Sequence, residues 1–452
     1  MTRKRTGRHG LTAAVLGWLI LTGWVLVQPL PAGSPTAASS HREQEPPPQR
    51  SMLDRVNLGM QSLVRPRPLD PQAEAVRDAL RHLGVLEYHR TGQTGKGIKV
   101  AVLDSGFRGY RNALGKALPA QVKCRSFRKD GQLEARDSQH GILCGEVIHH
   151  LAPGAELIFA NWEPETPAAF LDAVRWVRSE GAQIISCSVI MPAWSDGEGG
   201  GPIHRELTRA LGNALMFASA GNTAQRHWSG PLVAEKDGVH QWVKGRRDCS
   251  IRPFSSERVS VELTTCDGAY EVVVHDLARG REVGRSSTGE GTGCRNAVVR
   301  FEPTHHGRYV VRVRGLQTAG KFHLTCLGGK LQYATALGSI PFPSDGQEVV
   351  AVGAVDVKGR RMSYSSCGPC AAAPKPDLVA PVPFPSVWRA EQPFAGTSAA
   401  APQAAGVAAL VWGRHHDWDA SRVRTELCRV AVKARAGHCV ETGYGSLRAP
   451  RF

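Results

Sequence analysis

Four short runs of mostly apolar residues set the strongest limit on what this chain can fold into. One is Lys96-Gly97-Ile98-Lys99-Val100-Ala101-Val102-Leu103, leading into Asp104; the others are Gln183 to Val189, Leu215 to Ala220 and Glu348 to Val355. They are too short for buried helices and too continuously apolar for half-exposed strands, so they read as strands buried on both faces. Helical patterns lie among them. Phe170, Leu171, Val174 and Val177 recur at helix spacing and stop at Gly181, and a leading helix runs from Asp70-Pro71 through Val76, Leu80 and Leu83 to Gly84. Such alternation predicts an α/β fold, a mostly parallel sheet with helices on its faces.

That pattern breaks between Arg226 and Gly338. Val259-Ser260-Val261-Glu262-Leu263, Tyr270 to Val274 and Tyr309 to Arg314 alternate with period two, separated by turn-rich stretches and no helical period. An all-β, sandwich-like insert therefore splits the α/β domain, giving an organisation of 70–225, 226–338 and 339–452. The last part ends in a small-residue helix from Ser398 to Trp412 and another near Ala420 to Val430.

With 452 residues the chain has room for two or three domains. The formal charge of +16 invites a nucleic-acid partner. Beyond the first nine positions, however, basic residues are interspersed with acidic ones, and no recognition helix or basic-aromatic array accompanies them, so no nucleic acid is expected. Eleven cysteines without paired metal-ligand spacing point to disulfides, two of them within the insert among Cys249, Cys266, Cys294 and Cys326, in any of three pairings. The start of the chain agrees. Arg3, Lys4, Arg5 and Arg8 precede the uncharged run Leu11 to Leu30, an export signal or a membrane anchor in 1–30, followed by a proline-rich linker over 31–69. An exported protein, secreted or periplasmic, is expected, with membrane contact only if that segment is retained.

Four segments carry reactive side chains at the ends of these elements. Asp104 closes a strand within Asp104-Ser105-Gly106, where the C-terminal edge of a parallel sheet places functional groups. His140 lies in Asp137-Ser138-Gln139-His140-Gly141, a polar loop turning into an apolar helix. Asn222 follows Ala218-Ser219-Ala220-Gly221. Ser398 lies in Gly396-Thr397-Ser398-Ala399-Ala400-Ala401-Pro402, at a predicted helix N-terminus with Pro402 in the first turn. A hydroxyl, a base, a carboxylate to orient the base and a donor for an oxyanion are the parts of nucleophilic acyl transfer. Each motif alone is as often a turn or a cap; the order Asp, His, Ser is what gives the set its meaning.

On these motifs, together with Val350-Ala351-Val352-Gly353-Ala354, Tyr364-Ser365-Ser366 and Lys375-Pro376-Asp377-Leu378-Val379-Ala380-Pro381, the chain resembles the subtilisin-like serine peptidases, the subtilases. The resemblance implies a three-layer fold and a serine endopeptidase acting on protein or peptide substrates. Asp104, His140 and Ser398 would form its triad, and Asn222 with the Ser398 N–H its oxyanion hole. By the same resemblance Ser188, Val189 and Ile190 belong to the substrate-binding strand. Ile190 and Met191 stand where the family has glycines, which implies a narrower pocket; Ile142, Leu143 and Gln403 replace the family's threonine and two histidines. The insert resembles, weakly, β-sandwich modules placed at a surface loop for recognition or stabilisation. No cofactor is expected, and no acidic cluster marks a calcium loop. Two other readings are a catalytically silent member binding through its insert and a lipase or esterase; the latter lacks the Gly-X-Ser-X-Gly elbow.

Overall fold

A computed structural model describes residues 71–451 except 290–292, 317–319 and 434–435; the apolar run at the N-terminus and the linker after it lie outside the described residues. The chain begins with α1 (Pro71–His82) and α2 (Leu86–Arg90), then β1 (Lys99–Leu103), α3 (Tyr110–Ala113), β2 (Lys123–Phe127), α4 (His140–Leu151), β3 (Glu156–Trp162), α5 (Pro167–Ser179), β4 (Ile184–Cys187), α6 (Pro202–Leu211) and β5 (Leu215–Ser219). Nine strands follow: β6 (His227–Pro231), β7 (Cys249–Pro253), β8 (Val259–Thr265), β9 (Tyr270–Asp276), β10 (Arg281–Ser287), β11 (Arg295–Phe301), β12 (Tyr309–Gly315), β13 (Lys321–Leu327) and β14 (Gly329–Leu331). The chain then returns through β15 (Val349–Val355) and β16 (Leu378–Pro381) to α7 (Thr397–Arg414) and α8 (Ala420–Val430).

Seven strands form one sheet in the order β16-β15-β5-β4-β1-β3-β2, and every pairing in it is parallel. The reason for the continuous apolar runs is visible on β1. Val100 and Val102 pack into one core with α4 and α7, while Ala101 and Leu103 face the opposite core with α5 and α6. Helices on both faces make three layers, as expected. The strand order reverses around β1, whose neighbours are β3 on one side and β4 on the other. A crevice opens at the carboxyl end of such a switch point, which is where β1 delivers Asp104.

The nine intervening strands form two antiparallel sheets, β10-β9-β12-β7-β14 and β11-β8-β13-β6. Val261 and Leu263 from one and Val272 and Val274 from the other share a core with Phe322 and Trp242. The period-two pattern thus reads correctly as a sandwich. Its four cysteines are thiols in this structure, so the two bridges expected there are not formed; the apolar core between the sheets closes without them, with Cys249 and Cys326 both inside it. Among the described residues no helix is long and apolar enough to cross a membrane.

Candidate active site

Asp104 lies one residue beyond β1, with its backbone still bound to β3 through Ala160. Its carboxylate is fully buried and has three nitrogen donors. Oδ1 accepts from the N–H groups of Ser105 (2.7 Å) and Gly106 (3.0 Å), and Oδ2 is 2.7 Å from His140 Nδ1. The turn after Asp104 also fixes the start of α4, because Gly141 N–H donates to the Gly106 carbonyl at 2.7 Å. Only glycine fits at 141: a Cβ there would stand 2.5 Å from the Phe107 ring. With Nδ1–H held by Asp104, the imidazole presents Nε2 as its basic atom, and that atom is buried with no partner among the described residues. Phe394 packs edge-on against the ring, with centroids 5.4 Å apart.

Burial disfavours the charged form of His140, but the Asp104 carboxylate against it outweighs that cost and holds its pKa well above the ordinary histidine value. Cys144, one turn along α4, reaches the same place. Its Sγ lies 3.9 Å from Asp104 Oδ2 and 3.8 Å from the Ser398 carbonyl. Asp104, His140 and Cys144 present donor atoms within 4.8 Å of one another, the group among the described residues that could hold a metal ion. The short hydrogen bond between the first two already occupies one atom of each.

Ser398 is the second residue of α7, whose first turn is entered through Gly396 at φ +84, a left-handed conformation that favours glycine. Pro402 lies in the second turn of this helix. Its missing N–H would otherwise have bonded the Ser398 carbonyl, which instead accepts from Ser188 Oγ at 3.1 Å. Ser188 thus holds the backbone of Ser398. Asn222 is fixed in a similar way. Its Oδ1 accepts from both the N–H and the Oγ1 of Thr397 at 3.1 Å, which leaves the amide Nδ2 as the group it can offer. Two family departures belong to packing: Ile142 and Leu143 lie in the core, and Gln403 Nε2 donates to the carbonyls of Pro381 and Ala399.

Ser398 and Asn222 open onto a cavity of about 330 Å³ that Ser188, Val189 and Ile190 also line. Its far wall belongs to the β insert, through Arg226, Ser256, Glu257, Arg258, Glu262 and Leu327 among others. The insert, placed by the sequence at a surface loop, thus contributes residues to the cleft. Glu262 accepts from the Ala193 N–H at 3.0 Å, Asn296 donates to the Ala193 carbonyl at 2.8 Å, and Arg300 pairs with Glu165 at 3.2 Å. Thr397, Cys144 and the insert wall were not singled out beforehand. The signal for the wall was available, since the insert starts four residues after Asn222.

A model of the subtilase family matches residues 264–446, the stretch that holds Ser398 and the helix it begins. Over that stretch the chain is similar to the subtilase family. The chain is 36% identical over 94 residues to subtilisin DY of Bacillus licheniformis, a match covering 21% of this chain and spanning 34% of that relative's length. In fold it is similar to the CspB protease of Clostridium perfringens, with a TM-score of 0.60 over 82% of this chain and 97% of that one, at 14% identity. Asp104, His140 and Asn222 lie outside the stretch matched by the family model, so their standing in the site rests on the geometry above.

Proposed function

We propose that this protein is a subtilisin-like serine endopeptidase acting on protein or peptide substrates. The observation that carries the reading is the 2.7 Å hydrogen bond between buried Asp104 and His140 Nδ1, set beside a serine at a helix N-terminus. In the proposed mechanism Ser398 Oγ attacks the peptide carbonyl while His140 Nε2 takes its proton. Asp104 keeps the imidazole in the required tautomer and stabilises its charged form. Asn222 Nδ2 and the Ser398 N–H donate to the oxyanion, His140 returns the proton to the leaving amine, and water hydrolyses the acyl-enzyme. Every group here belongs to the chain itself.

Export to an oxidising compartment is part of the same proposal, carried by the basic and apolar segments at the N-terminus. There Cys249 and Cys326, which share the core of the sandwich and lie close enough for Cys249 to bear on the ionisation of Cys326, would form a bridge between the two sheets.

The test is intact-mass analysis of the full chain after fluorophosphonate treatment, beside Ser398→Ala. One adduct on the parent and none on the variant is expected. A folded parent that takes no label would favour the catalytically silent reading.

A further inference from the structure

The cavity beside Ser398 contains a buried cation with no counter-charge. Arg226 is only 9% exposed, yet no carboxylate lies within 4 Å of its guanidinium among the described residues. Its contact is the face of Phe254, 4.6 Å from ring centroid to guanidinium carbon. The position is firmly built, since the Arg226 carbonyl accepts from Cys326 N–H at 2.7 Å and its N–H donates to Thr223. Two other charges in the wall are already accounted for. Arg300 pairs with Glu165, and Glu262, the other buried one, accepts from Ala193 N–H and from Ser260 Oγ at 2.8 Å. Burial moreover pushes the Glu262 carboxyl up towards its neutral form, and lowers Arg226 without an opposing carboxylate to restore it.

A guanidinium largely withdrawn from water without a counter-charge is costly, and its planar fork matches a carboxylate better than any other common group. Such a carboxylate has to come from outside the chain. Because Ser398 and Asn222 form the opposite wall, the ligand group in this cavity belongs to the residue whose carbonyl they would hold.

From this geometry we infer that Arg226 is a specificity-determining residue that receives the carboxylate of an aspartate or glutamate immediately before the scissile bond. For the placing of that carbonyl the inference rests on the peptidase reading. It makes the β insert part of the specificity pocket, since Arg226, Phe254 and the Ser256–Arg258 loop all belong to it.

The test separates recognition from chemistry. In full-chain Ser398→Ala protein, fluorescence anisotropy would compare labelled alanine-glycine octapeptides carrying a single Glu, Gln or Lys; in the parent, kcat/KM would be measured on the matching fluorogenic peptides. A preference for Glu over Gln of about tenfold or more is expected, the effect of one charge-assisted contact. It should vanish in Arg226→Gln and partly survive in Arg226→Lys, with circular dichroism confirming that each variant is folded. Equal binding of Glu and Gln peptides, a preference for Lys directed by Glu262, or a Glu preference that persists in folded Arg226→Gln would each overturn the inference. Fluorophosphonate labelling reports separately on the peptidase reading: Glu-selective binding without labelling would remove the chemistry and keep the site, and labelling without Glu selectivity the reverse.

Discussion

The carbonyl of Ser398 accepts its hydrogen bond from Ser188 Oγ, across the cleft, because Pro402 has no N–H to occupy it within the helix. One proline thus couples the nucleophile to the strand that lines the pocket. Ser188→Ala should cost about 0.5–1.5 kcal/mol of stability and lower kcat severalfold or more, as the serine backbone loses its support. Adding Pro402→Ala to that variant supplies an N–H to the same carbonyl, so thermal melting should show stability partly regained. If the double variant is less stable than the sum of the two single changes, the coupling is misassigned.

Asn222 is held by Thr397 on its carbonyl side, so its amide acts as a preset donor. Asn222→Ala should reduce kcat by about 10²–10³, or roughly 3–4 kcal/mol of barrier, with little change in KM. Thr397→Val removes one of the two bonds to Oδ1 and should give a smaller loss of the same kind. A change confined to KM in steady-state kinetics would place Asn222 in ground-state binding.

Much of this site was legible because its chemistry sits at element ends that the sequence marks clearly. The run into Asp104, the polar turn into His140 and the small residues after Ser398 each announce a strand end or a helix start, and the parallel sheet brings those ends together. What the sequence could not show were contacts between segments far apart in the chain. Ser188 bonding to Ser398, Thr397 orienting Asn222 and Arg226 stacking on Phe254 all depend on how the layers and the sandwich dock.

The pairing of His140 with Asp104 has a consequence for pH. His140 must be neutral to accept the serine proton, and its pKa is held well above the ordinary histidine value of about 6.5. Activity should therefore rise with pH along a limb displaced to the alkaline side of that value, and kcat/KM against pH measures it. In Asp104→Asn that attraction is gone and burial is opposed by Cys144 alone, so the limb should move to lower pH while the rate falls by about 10⁴. An acid limb that stays in place in this variant would show that the carboxylate is not what raises the histidine.

A second buried histidine governs stability, away from the site. His204 on α6 joins Glu348 through Nδ1 at 2.6 Å and Asp345 through Nε2 at 3.0 Å, and Asp345 also accepts from Ser195 Oγ. Burial opposes its charge, but hydrogen bonds to the two carboxylates prevail and raise its pKa to about 9. A raised folded-state value means the unfolded chain releases its proton first. The stabilisation is fully present below about pH 6.5, declines above it and is lost as pH passes about 9. Melting temperature should accordingly fall between pH 6 and pH 10. His204→Gln leaves two carboxylates facing each other without their cation and should cost about 3–5 kcal/mol at neutral pH, while flattening this decline. A variant that melts with the parent's pH dependence would assign the alkaline loss to other groups.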